Sequence, residues 1–263
     1  MWLEEAQSIP ILPKMNVENF YDSYWASGLH VSPEWDERRF RSTLAPLIGK
    51  ERVLDYGCGM GDAYQRQLVK AVGSYVGADV GELALDATRK KGLPALKIDP
   101  DKGSTDSATH AFDGAVCSEV FEHLFDPLQS AREICRVLKP GGVLVCTVPN
   151  FGYHPWRLLA FLRAQVPSEP ENPRLNRYNG VHIRFFSKLM LKRLLRDAGF
   201  VDIKIGSYDD SSVWDIFHCA GHIAWISNFA RDHFPSFLHL RFLQHVWPNV
   251  LAKRLRGIAY KPK

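Results

Sequence analysis

Val53-Leu54-Asp55-Tyr56-Gly57-Cys58-Gly59-Met60-Gly61-Asp62 is the stretch on which the fold of this chain turns. A short apolar, β-branched run ends in three glycines at alternate positions, and a helix-like pattern follows over residues 63–72. Glycine is needed where a backbone turns sharply or where a ligand must touch the main chain. An ordinary strand-to-helix turn asks only for Gly57, so Gly59 and Gly61 point to a loop that cradles a ligand.

Working outward, apolar runs alternate with helical spacing. Strands are predicted over Arg52–Tyr56, Tyr75–Asp79, Ala95–Asp99, Gly114–Cys117, Val143–Val148 and Phe200–Ile205, with a last one at Arg256–Tyr260. Helices are predicted over Pro33–Ile48, Ala63–Val72, Glu82–Lys91, Pro127–Leu138 and Ser187–Ala198, the last capped by Ser187 and ended by Gly199. Strands apolar on both faces, alternating with helices, belong to a parallel sheet covered on both sides. The fold class that follows is α/β, doubly wound. Residues 1–33 read as an irregular, aromatic-rich cap, and 34–263 as a single domain. That domain carries a proline-rich cover segment at 150–186 and an aromatic helical insertion at 208–255. So long a connection in a compact domain is usually a functional cover.

Composition narrows the function. The net charge of +4 is too mild for a nucleic-acid binder. Five cysteines (Cys58, Cys117, Cys135, Cys146 and Cys219) contain no CxxC pair and read as buried free thiols of a reducing compartment. The acidic start, Met1-Trp2-Leu3-Glu4-Glu5, does not look like a signal peptide, and no apolar run is long enough to span a bilayer. A cytoplasmic protein is expected, with peripheral membrane contact left open.

The loop also discriminates between ligands. A dinucleotide site uses G-x-G-x-x-G and rests a pyrophosphate on the helix N-terminus. Here the spacing is G-x-G-x-G, and Asp62 occupies the position of that third glycine. An aspartate there repels a diphosphate, whereas Asp55 suits an amine. Asp79, ending the second strand, can accept ribose hydroxyls or cap the following helix. Asp99, ending the third, can accept from an adenine amino group or form a turn with Pro100 and Asp101. A zwitterionic adenosine ligand fits these residues better than a dinucleotide.

With the segments Phe112-Asp113-Gly114-Ala115-Val116-Cys117-Ser118-Glu119-Val120-Phe121-Glu122-His123 and Arg136-Val137-Leu138-Lys139-Pro140-Gly141-Gly142, residues 34–205 resemble the class I S-adenosylmethionine-dependent methyltransferases. The resemblance implies a mostly parallel, seven-stranded, Rossmann-like sheet and S-adenosyl-L-methionine as cofactor. It places Asp55, Gly57, Cys58, Gly59 and Gly61 around the methionine half, and Asp79 and Val80 at the ribose. Asp99 and Pro100 neighbour the adenine, and Ser118 and Glu119 border the methyl group.

A sulfonium methyl is electrophilic already, so such an enzyme chiefly aligns the nucleophile and takes its proton. Glu119, Glu122 and His123 stand at i, i+3 and i+4. If a helical turn starts there, they share one face as an acid–base pair, as a divalent-metal site, or as a purely structural brace. The E-x-x-E-H pattern and Thr147-Val148-Pro149-Asn150 resemble the ubiquinone-biosynthesis O-methyltransferases and related sugar and small-molecule enzymes, some of which bind a divalent metal at such a cluster. Val181-His182-Ile183-Arg184-Phe185-Phe186-Ser187 resembles their segment after the cover, which implies that His182 faces the acceptor pocket; otherwise His182 is a packed loop residue. The aromatic tail from Trp214 to Trp247 departs from that group and is similar to bacterial glycan-type methyltransferases.

Trp156–Arg163 and Phe234–Arg256 have the composition of interfacial helices, or of a lid packed on its own domain. Tyr21, Tyr24 and Trp25 precede the first predicted helix. They belong either to the core or over the cofactor, where an aromatic face attracts a cation; Tyr24 is assigned to the cofactor. The acceptor expected is a small-molecule, glycan or lipid-linked hydroxyl compound. The competing readings are a nicotinamide-dependent oxidoreductase and a non-catalytic S-adenosylmethionine-binding subunit.

Overall fold

The computed structural model describes residues 17–26, 35–61, 63–153, 182–207, 252 and 254–263. Asp62, Cys219, the Trp156–Arg163 segment and nearly all of the aromatic insertion lie outside the described residues.

Seven strands form one sheet: β1 (Arg52–Tyr56), β2 (Ser74–Asp79), β3 (Ala95–Lys97), β4 (Phe112–Ser118), β5 (Leu138–Pro149), β6 (Val201–Ser207) and β7 (Arg254–Tyr260). Their order is β3-β2-β1-β4-β5-β7-β6. The first five are parallel, and β7 runs antiparallel between β5 and β6. Helices α1 (Val17–Ala26), α2 (Glu37–Leu44), α3 (Gln65–Ala71), α4 (Glu82–Lys90), α5 (Pro127–Val137) and α6 (Lys188–Asp197) accompany them.

Strand periodicity builds the two layers. Val53, Tyr75, Val116, Val143 and Val145 pack against Phe40 and Leu44 of α2 and Leu68 of α3. Their neighbours in sequence, Leu54, Val76, Ala115, Cys117, Leu144 and Cys146, point to the other face. There they meet Ala131, Ile134 and Cys135 of α5 and Leu191 and Leu195 of α6. Full burial of a side chain such as Ile134 is worth roughly 1.5–3 kcal/mol. The four described cysteines are buried and free, as expected.

The helix ends follow local chemistry. Asp36 accepts from Arg39 N, so α2 starts at Glu37 and not at Pro33, and its tail tightens into a 3₁₀ turn over Ala45–Leu47. Asp126 caps α5 ahead of Pro127, and Ser187 caps α6. Lys139-Pro140-Gly141-Gly142, expected to close the helix before the strand, lies inside β5. Phe112 pairs with Leu138 and Gly114 with Val143, so the turn survives as a bulge.

Two further expectations are corrected. The cap is not wholly irregular, because Val17–Ala26 is a helix packed on α4. The last strand begins at Arg254 and not at Arg256, and it inserts between β5 and β6. Gly257 makes that seat possible, since a Cβ there would stand 2.8 Å from Cys146 Sγ. Strand order reverses between β1 and β4, and a crevice opens at the carboxyl ends of such strands.

Candidate active site

A cavity of about 640 Å³ occupies that crevice. Its wall contains Asp55, Gly57, Cys58, Gly59, Gly61, Asp79, Val80, Asp99, Pro100, Ser118, Glu119, His123 and Tyr24. Glu122 and His182 are not among the described residues lining it; Ile183 takes the place expected of His182.

The glycine loop is built for backbone approach. Gly57 has φ +78°, and a Cβ there would lie 2.4 Å from Val120 Cγ2. Gly59 has φ +52°, and its missing side chain leaves room for the edge of the Trp25 indole, 2.9 Å from where a Cβ would be. Asp79 locks this loop to the end of β2. Its Oδ2 accepts from Gly59 N and its Oδ1 from Gly81 N, both at 2.9 Å. Burial pushes its carboxyl up, and the backbone N–H groups pull it back. Asp79 therefore combines the ligand-facing and helix-start positions, while α4 itself receives a cap from α1: Leu83 N donates to Asp22 Oδ1. Lys91 Nζ donates to Met60 O, Gly61 O and Gln65 Oε1, gathering carbonyls at the outer side of the loop. Nothing in the sequence singles out that lysine, because its partners lie about 30 residues back.

Asp55 is fully buried, and both its oxygens accept 2.8 Å hydrogen bonds, from the Tyr64 and Tyr75 hydroxyls. Burial raises its carboxyl to about 6 against the pull of those two donors. By sequence Asp55 suits an amine; its tyrosine partners, one a strand away and one just past the loop, are set by the fold. Asp99 accepts from Asp101 N and Lys102 N, so it forms the alternative turn while remaining on the cavity wall.

Helix α1 roofs this half of the cavity. Phe20, Tyr21, Tyr24 and Trp25 line it, and Lys97 ties the helix down through Glu18 at 2.7 Å while also reaching Glu82 at 3.3 Å.

The cluster beyond β4 differs from the expected helical face. Glu119 has φ +56°, and only Phe121–His123 forms a 3₁₀ turn, so Glu119, Glu122 and His123 do not share one helical face. Glu119 turns to Arg254 Nε at 3.3 Å. Glu122 sinks to 1% exposure, with Oε1 3.8 Å from His123 Nε2. Burial, then the charge of Glu119, holds its carboxyl well above the usual range. His182 joins from the far side of the cover, its ring centroid 4.9 Å from that of His123. Ile183 N and Arg184 N both donate to the Glu122 carbonyl, which turns Ile183 to the cavity and His182 to His123. The Arg184 guanidinium donates to the carbonyls of Leu124 and Phe125.

A methyltransferase-domain family matches residues 30–205, and the chain belongs to it. The protein is a class I S-adenosylmethionine-dependent methyltransferase, with S-adenosylmethionine as methyl donor. The chain is 32% identical over 167 residues to the ubiquinone biosynthesis O-methyltransferase of Thiobacillus denitrificans, covering 61% of this chain and 68% of that protein. It is 29% identical over 194 residues to the "Probable S-adenosylmethionine-dependent methyltransferase" of Mycobacterium tuberculosis, covering 73% of this chain and 60% of that protein. The fold is similar to a SAM-dependent methyltransferase from Archaeoglobus fulgidus, with TM-score 0.55 and 19% identity, over 85% of this chain and 91% of that one. Family membership sets the oxidoreductase and non-catalytic readings aside. Among the described residues, no helix is long and apolar enough to cross a membrane.

Proposed function

We propose that the protein methylates a hydroxyl oxygen of a small, ring-shaped acceptor, with His123 as the base. In this reading S-adenosylmethionine lies along the glycine loop, with Asp55 toward its amine, Asp79 and Val80 at the ribose, and Asp99 and Pro100 near the adenine. It supplies a methyl carbon that is electrophilic without further activation. The acceptor enters beyond Ser118, between His123 and the apolar side chains of Leu124, Phe125 and Ile183, which share the wall. The acceptor oxygen bonds to the methyl carbon, the carbon–sulfur bond breaks with its electron pair going to sulfur, and the hydroxyl proton passes to the His123 imidazole. His182 and Glu122 hold that ring in place without touching the acceptor.

The observation that carries this reading is the position of His123: on the cavity wall, with buried Glu122 3.8 Å from its Nε2 and the His182 ring 4.9 Å from its own. Transfer to oxygen draws further support from the similarity to the ubiquinone biosynthesis O-methyltransferase of Thiobacillus denitrificans. A lipid-linked or glycan acceptor, and contact with a membrane surface, would rest on the cover and tail segments. The test is His123→Ala. Turnover should fall by a factor of about 10²–10⁴ while S-adenosylmethionine affinity measured by calorimetry stays within about twofold. Undiminished turnover would remove His123 as the base.

One observation favours a second reading. Ligand atoms of Glu122, His123 and His182 lie within 4.8 Å of one another, and neither Glu122 carboxylate oxygen has a hydrogen-bond partner. A carboxylate with two imidazoles suits a divalent transition metal. The set that fits is this one, with His182 in place of the expected Glu119. A metal there would orient and acidify the acceptor hydroxyl, and His123 would then be a ligand and not the base. Loss of activity on chelation, restored by a divalent cation, selects this reading; indifference to chelators selects the first.

A further inference from the structure

Strand β7 brings a cation to the acceptor side of the cavity. Because β7 runs against the other strands of the site, its first residue, Arg254, stands opposite Pro149, the last residue of β5, at the edge where β1, β2 and β4 all end. Its side chain lines the cavity and is about one-third exposed there, as is its partner Glu119. The second arginine on the wall, Arg39, is placed elsewhere, over the Trp35 ring at 4.7 Å. Glu119 itself is under constraint. Its backbone has φ +56°, a strained region for a residue with a side chain, and is pinned by its N–H to Thr147 O at 2.9 Å. Its carboxylate lies beside Arg254, whose Nε donates to Glu119 Oε2 at 3.3 Å. Leu124, Phe125 and Ile183 contribute apolar side chains to the same cavity lining.

We infer that Arg254 is a specificity-determining residue: the acceptor carries an oxyanion, a carboxylate or a phosphate monoester, that the guanidinium of Arg254 binds while Glu119 holds and neutralises that guanidinium in the empty site. A planar guanidinium matches either oxyanion through paired N–H donors, and its charge is worth most on a partly desolvated wall. A donor sulfonium on the same side of the cavity adds to the preference for an anionic acceptor. This inference rests on the methyl-transfer reading of the cavity.

The experiment uses the whole protein saturated with S-adenosylhomocysteine, titrated with 4-hydroxybenzoate, 4-hydroxyphenyl phosphate and the neutral 4-hydroxybenzyl alcohol. At least one anionic probe should bind about tenfold more tightly than the alcohol, and which of the two does so identifies the group recognised. Arg254→Gln should bring the probes to parity while S-adenosylhomocysteine affinity is kept, and Arg254→Lys should retain part of the preference. Glu119→Gln keeps the arginine and removes its internal partner, so it should tighten the anionic probe. Two partners of a merely structural ion pair would instead weaken binding together. Equal affinities in the unaltered protein, no binding of any probe, a preference surviving in Arg254→Gln, or weaker anion binding in Glu119→Gln each overturns the inference. Failure of the unaltered protein to bind S-adenosylhomocysteine would instead strike the methyl-transfer reading itself.

Discussion

The two halves of the cavity are made differently. The half proposed for the cofactor, at β1, β2 and the glycine loop, consists of backbone turned outward by glycines; Gly59 N donates to Asp79, Lys91 to Met60 O, and Tyr64 and Tyr75 to Asp55. The half proposed for the acceptor is assembled from three remote segments: Glu119–His123, His182–Arg184 and Arg254. A half built from backbone demands particular residues at particular spacings. A half built from side chains demands only that distant segments be brought together. The first should fail abruptly when one atom is added; the second should lose function by degrees.

Gly57→Val is the sharpest way to break the cofactor half. The new Cβ would meet Val120 at 2.4 Å on a backbone with φ +78°. S-adenosylmethionine binding should weaken by about 100-fold, read by calorimetry, because strain and clash each cost on the order of 1–3 kcal/mol. Asp79→Ala comes next, since it removes the acceptor for two buried N–H groups of the loop and of the α4 start. At least about tenfold weaker binding is expected, and unchanged affinity would remove Asp79 from the cofactor half.

Arg184→Ala probes the other half. It takes away the donor to Leu124 O and Phe125 O and loosens the segment carrying His182 and Ile183. The acceptor KM should rise by about threefold to tenfold with S-adenosylmethionine affinity unchanged. A comparable loss in both would show that the halves are not separable.

The smallest effect expected is on pH dependence. Burial raises Asp55 from 3.8 to about 6, so the folded protein holds this proton more tightly than the unfolded chain. The stability it contributes is fully present below 3.8 and is lost as pH rises through about 6. Melting temperatures of the unliganded protein should decline by about a few degrees across that window through this residue, and Asp55→Asn should flatten the decline.

The difference between the halves also explains what could be read in advance. The strand-turn-helix at residues 53–72 and the acids at 79 and 99 are local patterns, and the described cofactor-side residues all reach one cavity wall. The shared face of Glu119, Glu122 and His123 required a helical turn to start at Glu119. Glu119, however, adopts φ +56°, pinned by Thr147 across the β4–β5 pairing. His182 was expected to face the pocket, but two backbone bonds to Glu122 turn it the other way. Arg254 lies within the Phe234–Arg256 segment, and no local pattern there marks it as a cavity residue.

Sequence alone determined the α/β alternation, the glycine loop and the preference for a zwitterionic adenosine ligand, because each depends on neighbours within one strand, turn or helix. The tertiary structure decided that β7 slips between β5 and β6, that α1 lines the cavity, that His123 meets His182, and that Glu119 meets Arg254. Those contacts join residues up to 135 positions apart, and pairing at such range is set by how whole faces pack, which no local spacing records.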